Sequence, residues 1–211
     1  MSIIIIDPGH GGTANIGGSD ANHAVGPAGT KEKDLTLIIA VKVAEKLTDG
    51  GYTVVLTRNN DSNLSLRDRA TVGNDNQASV FVSIHFNGFN NPTTQGTETW
   101  VYTGASSDSI LLATSLLLQL VNATGYSNRG VRSMKLGVLS PSYQYFSTAA
   151  SLVEISFLTD PNEEQRLLTS AYQDSLAGAI YQAIVDYLVS ASSISPDTPV
   201  ANADPGGDGD A

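Results

Sequence analysis

The sequence predicts one α/β domain of three layers, in which a mostly parallel or mixed central sheet has helices on both faces. Short β-branched runs alternate along the chain with longer stretches of helical periodicity. The first run, residues 3–6, contains four consecutive isoleucines, which is typical of a strand covered on both faces. With 211 residues, 41% of them hydrophobic, the chain can bury one complete core.

The elements up to residue 139 follow from apolar spacing and from turn signals rich in Gly, Asn, Asp and Ser. Ser65 is placed to cap a helix. In chain order we predict a helix over 32–47, a strand over 52–57, a helix after Ser65, strands over 78–84 and 96–102, a helix over 107–121 and a strand over 131–139. This alternation indicates helices packed on a central sheet.

The rest of the globular part contains an apolar strand and two helices. The strand is predicted over 151–157, and the helices over 163–169 and 172–189. A helix start follows the strand, because Asp160 has the character of an N-cap and Pro161 that of the first helical residue. Glu163 would then occupy the third helical position.

We divide the chain into two parts. Residues 1–189 are predicted to form the globular domain, and residues 190–211 a disordered tail or linker rich in Ser, Pro, Asp and Gly. The tail has almost no large apolar residue with which to support a core, and its composition resembles a spacer.

Composition excludes several classes of function. A net charge of −10, from 21 acidic and 11 basic residues, repels polyanions and argues against nucleic acid or a membrane as partner. No window approaches the roughly 18 consecutive apolar residues of a membrane span. Met1 leads almost directly into the first strand, so we expect no signal peptide in this chain. Because cysteine is absent, a metal site must use histidines and carboxylates.

Two histidines stand where predicted strands end. His10 lies in a glycine-rich loop after the isoleucine strand, and His85 ends the strand over 78–84. Open α/β sheets place their active-site crevices at the carboxyl ends of such strands. In the third apolar strand a lone carboxylate, Glu154, interrupts the apolar run, and an ionised group there is costly unless it is paired, hydrogen-bonded or near a metal.

These residues could together form a zinc site. Two neutral imidazoles and one carboxylate make a tetrahedral zinc site with the fourth position open to water, whose pKa falls towards about 7. We favour Glu32 as the third ligand, since the first turn of its helix could point back over the sheet edge towards His10. Glu154 would then be free to act as general base and to return the proton to a departing amine.

Other interpretations of the same residues stay open at this point. Either histidine could be an ordinary hydrogen-bonding residue, and Glu32 could be a solvated acid that complements the helix dipole, which pattern alone favours. Glu154 could form a buried ion pair with one of three arginines, namely Arg67, Arg69 and Arg129. His23, in a polar loop, is interpreted as a surface histidine.

Six short motifs occur in order along the chain. They are Asp-Pro-Gly-His-Gly-Gly at 7–12, Lys-Glu-Lys-Asp-Leu-Thr-Leu at 31–37, Leu-Thr-Arg at 56–58, Ser-Ile-His-Phe-Asn at 83–87, Asn-Arg-Gly-Val at 128–131 and Val-Glu-Ile-Ser-Phe-Leu at 153–158. Together they resemble the motifs of the zinc-dependent N-acetylmuramoyl-L-alanine amidases of the type 3 family. The resemblance covers about residues 3–188, and an ordered set is far more specific than any one motif.

The resemblance implies that His10, Glu32 and His85 bind one Zn²⁺ per chain and that Glu154 is the catalytic residue. It implies a peptidoglycan hydrolase that cleaves the amide between the lactyl group of N-acetylmuramic acid and the L-alanine of the stem peptide. The partner would be peptidoglycan, with its glycan strand and stem peptide, and the enzyme is expected to be a monomer. Two alternatives are a zinc peptidase that acts on peptide bonds of the stem peptide and a non-catalytic cell-wall-binding module.

The chain departs from the family pattern in two places. Residues 156–160 lack the usual glycine before Phe157 and the usual asparagine near the end, and we expect these positions to shape the wall beside Glu154. Residues 102–129 have room for one ordinary helix, so no plugging insertion is expected and the site should be open. The resemblance therefore implies action at the bacterial cell wall, extracellular or periplasmic, by an endolysin of phage type, an autolysin or an excised catalytic domain.

Overall fold

A computed structural model of the chain describes residues 2–194. In the described part, six strands and five α-helices alternate as a three-layer domain, so the predicted fold class is confirmed. The strands are β1 Ile3–Pro8, β2 Thr53–Leu56, β3 Val80–Asn87, β4 Thr97–Tyr102, β5 Asn128–Met134 and β6 Ala149–Phe157. The helices are α1 Glu32–Asp49, α2 Leu66–Asp75, α3 Ser107–Thr124, α4 Pro161–Leu167 and α5 Ser170–Ile194.

The six strands form one mixed sheet in the order β2-β1-β3-β6-β4-β5. The first four of these are parallel to one another, whereas β4 runs antiparallel to β6 and β5 runs parallel to β4. The carboxyl ends of β1, β3 and β6 therefore meet at one edge of the sheet. β6 lies between β3 and β4, so residues distant in sequence become neighbours.

The isoleucines of β1 point alternately to the two faces of the sheet, as expected for a strand covered on both sides. Ile4 and Ile6 join the larger core, which also includes buried residues of α1, α3 and α5. Ile5 faces a smaller core, where it packs with Phe81. That face is covered by α2 and by a short 3-10 helix, Gly137–Leu139, which complete the third layer.

Several local predictions are refined. The side chain of Ser65 accepts from the backbone N–H of Asp68, which confirms it as the cap of α2. Asp160 accepts from Asn162 and caps α4 with Pro161 in its first turn, as predicted. The predicted strand over 131–139 is wrong in part, because β5 ends at Met134 and the 3-10 helix follows.

The end of the domain also differs from the prediction. α5 continues to Ile194, so the first residues assigned to the tail over 190–211 are helical, and the rest of that segment lies outside the described residues. Between residues 2 and 194, no helix has the length and apolar character required to cross a membrane.

Candidate active site

Three predicted site residues converge at the carboxyl edge of the sheet. Ligand atoms of His10, Glu32 and His85 all lie within 4.8 Å of one another. Oε1 of Glu32 is 3.1 Å from Nε2 of His10 and 3.0 Å from Nδ1 of His85. We call these three residues the His–Glu–His group.

His10 is held in a fixed orientation by its loop. Its backbone has a φ of 60°, a left-handed conformation that few residues other than glycine adopt. Its Nδ1 lies 2.9 Å from the carbonyl oxygen of Asp20, which can accept a hydrogen bond from the ring. A proton on Nδ1 leaves the lone pair of Nε2 directed at the His–Glu–His group, which is the usual way that a second hydrogen bond orients a ligating histidine.

Glu32 is buried, so the interpretation as a solvated first-turn acid is wrong. Its side chain is 1% exposed, and its two oxygens accept hydrogen bonds from the backbone N–H groups of Ala24 and Phe86. Burial by itself would raise the pKa of Glu32, but hydrogen bonds with the two histidines lower the pKa well below its usual value. The carboxylate is therefore ionised at neutral pH.

His85 packs against the backbone of Gly9. A Cβ at residue 9 would lie 2.5 Å from Nε2 of His85, a distance that real side chains do not tolerate. The N–H of Gly9 also donates to the carbonyl of Ile84 at 3.0 Å, which ties the loop to β3 next to the histidine. The glycine is thus required by close approach, which its place in a glycine-rich loop alone does not reveal.

Two buried arginines hold the loop that carries His10. Arg69 donates to the carbonyl oxygens of Pro8 and His10, each at 2.7 Å, and forms an ion pair with Asp7 at 2.8 Å. Arg58 donates to the carbonyls of Pro8 and Gly9. Charged hydrogen bonds of this kind satisfy the otherwise unpaired carbonyls of a turn. The sequence pattern offers Arg69 only as a possible partner of Glu154 and carries no signal of this role.

The His–Glu–His group fits a zinc ion by its chemistry. It offers two imidazole nitrogens and one ionised carboxylate oxygen, a donor set found in catalytic zinc sites. A neutral His10 that donates from Nδ1 has its lone pair on Nε2, the nitrogen that faces Glu32, as ligation requires. The side chains of His10 and His85 are 11% and 17% exposed, so the group is shielded but reachable from solvent.

Glu154 lies one strand away from this group. It is the register partner of His85 across the β3–β6 pairing and of Glu98 across the β4–β6 pairing. Its Oε2 is buried and has no hydrogen-bond partner among the described residues. Burial raises the pKa of Glu154 well above its usual value, and the nearby charges of Glu32 and Glu98 raise it further.

The predicted alternative for Glu154, a buried ion pair with an arginine, is wrong. Arg69 pairs with Asp7, Arg129 pairs with Glu98 at 2.8 Å, and the exposed Arg67 lies over the ring of Tyr143. An unpaired buried carboxylate beside a metal-binding donor set is a common feature of catalytic sites.

A groove continues from Glu154 across β4 towards β5. Glu98 and Trp100 of β4 line it together with Glu154 and Leu152 of β6. The remaining lining residues are Asn87, Met134 and Leu136. We expected residues 156–160 to shape the wall beside Glu154, but none of them lines this groove. Two of them have other contacts: Asp160 caps α4, and the hydroxyl of Thr159 accepts a hydrogen bond from the N–H of Phe89.

Two smaller expectations are consistent with the structure. α3 is an ordinary helix whose leucines, such as Leu112 and Leu116, are buried in the larger core, so this segment does not plug the site. His23 is exposed, as predicted, although its ring centroid lies 6.4 Å from that of His10.

Residues 4–186 match the N-acetylmuramoyl-L-alanine amidase family. The N-acetylmuramoyl-L-alanine amidase LytC of Bacillus subtilis is 33% identical over 87% of this chain, and the chain spans 35% of LytC. An N-acetylmuramoyl-L-alanine amidase from Clostridium difficile 630 superposes with a TM-score of 0.80 at 37% identity, over 90% of this chain and 97% of that one. The catalytic domain of CwlV from Bacillus (Paenibacillus) polymyxa gives 0.79 at 32% identity, with coverages of 90% and 99%.

An α/β domain with a buried carboxylate beside a His–Glu–His group at one sheet edge has the parts of a hydrolase that activates water. The matches with known proteins show which kind of hydrolase this is. This chain belongs to the N-acetylmuramoyl-L-alanine amidase family. The class of enzyme predicted from its six motifs, a peptidoglycan amidase, is thereby confirmed, and neither the zinc peptidase nor the wall-binding module finds support.

Proposed function

We propose that this domain hydrolyses the amide between the lactyl group of N-acetylmuramic acid and L-alanine, with His10, Glu32 and His85 holding one zinc ion and Glu154 acting as base and acid. The observation that carries the proposal is the placement of an unpaired, buried carboxylate one strand from the His–Glu–His group. A zinc ion bound there would supply Lewis acidity, which lowers the pKa of water and polarises a carbonyl oxygen.

Glu154 carries the proton through the reaction. Its carboxylate removes a proton from the attacking water as the water oxygen bonds to the carbonyl carbon. When the carbon–nitrogen bond breaks, Glu154 returns that proton to the departing nitrogen. The products are a muramyl carboxylic acid and a peptide with a free L-alanine amine, and the carboxylate is regenerated.

The environment of Glu154 suits both roles. Because burial and neighbouring carboxylates raise its pKa, the protonated form that the second half of the reaction needs is not strongly disfavoured. Glu32, by contrast, is kept ionised by its two histidines and its backbone donors, as a metal ligand must be. The pKa values of Glu154 and Glu32 are thus shifted in opposite directions, because the surroundings of the two carboxylates differ.

The reaction is tested by its products. Digestion of peptidoglycan should release intact stem peptides with new L-alanine amino termini and leave glycan strands uncut. Mass spectrometry and amine labelling detect the first product, and a reducing-sugar assay detects cut glycans. New reducing ends, or cleavage confined to the peptide, would contradict the proposal.

The cellular setting follows from the substrate. We propose that the domain acts at the bacterial cell wall, because that is where peptidoglycan is found, and that it acts as a monomer. Light scattering coupled to gel filtration of the full chain tests the monomer, and a stable dimer would contradict it.

A further inference from the structure

The groove beside Glu154 lies on the side away from the His–Glu–His group. That group is carried by the β1 loop, α1 and β3, whereas the groove crosses β6, β4 and β5. On the β4–β6 pairing, Glu98 is opposite Glu154, and two residues further along Trp100 is opposite Leu152. Because side chains two residues apart in a strand point to the same face, all four share one face of the sheet. Trp100 and Leu152, with Met134 and Leu136 at the side, give the groove an apolar lining.

Two arginines contact lining residues of the groove without lining it themselves, and they give its β5 side an excess of positive charge. Two guanidiniums share the single carboxylate of Glu98, with Nε of Arg129 at 2.8 Å and Nε of Arg132 at 3.3 Å. Arg132 is 43% exposed, and its guanidinium carbon lies 5.7 Å from the ring centroid of Trp100. The net charge of the chain is −10, so this local excess of positive charge stands out, and it would attract an anion.

The chemistry of the site, as proposed above, determines which part of a substrate enters the groove. Glu154 must contact the departing nitrogen in order to protonate it. The nitrogen therefore lies on the Glu154 side of the reacting carbonyl, and the peptide attached to it continues beyond Glu154. The groove begins there, so it receives the peptide, and the glycan leaves in the other direction.

We propose that this groove binds the stem peptide and that Arg132 determines specificity by binding a carboxylate on the residue that follows L-alanine. Adjacent strands lie about 4.8 Å apart, and Arg132 is in register with Leu152, two residues along from Glu154, so the backbones of Arg132 and Glu154 are about 12 Å apart. Two residues of extended peptide span about 7 Å, and the arginine side chain covers the remaining distance. Arg129 is the lesser determinant, because its ion pair with Glu98 is the shorter of the two and its guanidinium also packs over Phe157.

The test uses two substrates that differ in one group. One is N-acetylmuramoyl-L-alanyl-γ-D-glutamyl-L-lysine with a free α-carboxylate on the glutamyl residue, and the other carries a carboxamide there. The unchanged protein should have a lower KM for the carboxylate. Arg132→Gln should raise that KM about tenfold and leave kcat and the KM for the carboxamide nearly unchanged, because it removes a charged hydrogen bond made only to the carboxylate.

Arg67→Gln is the matched control. Arg67 is also an exposed arginine stacked over an aromatic ring, but on α2 and away from the groove, so this variant should keep the full preference. If Arg132→Gln kept the preference, or slowed both substrates equally, the assignment would be overturned. If the unchanged protein cleaved neither substrate at the lactyl amide, the proposed reaction would be wrong instead.

Calorimetry with the product peptide L-alanyl-γ-D-glutamyl-L-lysine tests carboxylate binding by Arg132 separately from cleavage of the lactyl amide, since binding needs no turnover. The zinc-loaded protein should bind this peptide about tenfold more tightly than its carboxamide form, and Arg132→Gln should bind both equally. Equal affinities in the unchanged protein would contradict the inference whether or not the amide is cleaved.

Discussion

His85 and Glu154 face each other as register partners on adjacent parallel strands, β3 and β6. Side chains in register point to the same face of a sheet, so a histidine of the His–Glu–His group and the unpaired carboxylate are one strand spacing apart. A β-bulge follows immediately, between His85 and Asn87. Bulges of this kind are frequent next to active sites, where they redirect side chains.

Glu154→Gln should lower kcat by roughly two orders of magnitude or more while zinc stays bound, because glutamine keeps the shape of the side chain but cannot take a proton. Turnover on muropeptides and zinc content are measured on the same sample. The matched control is Glu45→Gln, an exposed glutamate of α1, which should change neither. Loss of zinc together with activity would make Glu154 a ligand and reopen the role of Glu32.

The active protein should contain about one zinc per chain, and His10→Ala should remove most of it, because a two-residue site binds zinc far more weakly than a three-residue one. Chelation should abolish activity, and added zinc should restore it. His23→Ala is the control, since this exposed histidine lies near His10 but outside the His–Glu–His group, and it should retain zinc. Full activity in chelated protein free of zinc and of any substitute metal would disprove the mechanism.

Gly9→Ala should weaken zinc binding and activity at least tenfold, because the new Cβ would push the ring of His85 away from Glu32. Gly178→Ala in α5 is the control: a Cβ there meets nothing within 4 Å, and alanine in a helix is favoured over glycine by roughly 0.5–1 kcal/mol. Zinc titrations and thermal unfolding of both variants check this. Normal zinc affinity in Gly9→Ala would show that the ring can shift at no cost.

Arg69→Met should destabilise the fold by about 3–5 kcal/mol at neutral pH, because it leaves Asp7 buried without its cation. Burial raises the pKa of Asp7, but Arg69 and the other hydrogen-bond donors together lower it below its usual value. The ion pair therefore stabilises the protein above the unfolded-state pKa of aspartate, and this contribution is lost as the pH falls through the lower folded-state pKa.

In the Arg69→Met variant, the contribution of Asp7 to stability changes with pH in the opposite direction. Without the arginine, burial dominates and the pKa of Asp7 rises, so stability is lost as the pH rises through that value. Urea unfolding at pH 4 and pH 7 should therefore show a smaller difference from the unchanged protein at pH 4. A difference independent of pH would mean that lost packing, and not the unpaired carboxylate, explains the effect.

Removing residues 195–211 should leave activity on soluble muropeptides within about twofold, because the segment is polar and rich in Pro and Gly, with little apolar surface to stabilise the core. Truncation after residue 189, the boundary predicted from sequence, should cost some stability, because it also removes helical residues at the end of α5. Thermal unfolding of the two truncated chains compares the boundaries. A large loss of activity in the shorter deletion would assign a role to residues 195–211.

Much of the protein could be predicted from local signals in the sequence. Periodicity and turn residues placed the strands and helices to within a few residues, since these patterns depend on which side chains must be buried. The ends of β1 and β3 placed His10 and His85, because strand ends in an α/β sheet point to one edge. Motif order then indicated the family, and with it the expected roles of Glu32 and Glu154.

Only the tertiary structure decided which charged groups are partners. Glu32 looks like a solvated acid until α1 is packed against the sheet edge, where two backbone N–H groups and two histidines surround it. The sequence offered three arginines as possible partners of Glu154. In the structure Glu154 pairs with none of them, because two of the three arginines pair with Asp7 and Glu98 instead. The physical reason is that β6 inserts between β3 and β4, and sequence spacing carries no information about that order. Electrostatic partners depend on distances of a few ångströms, which local hydrophobic patterns do not specify.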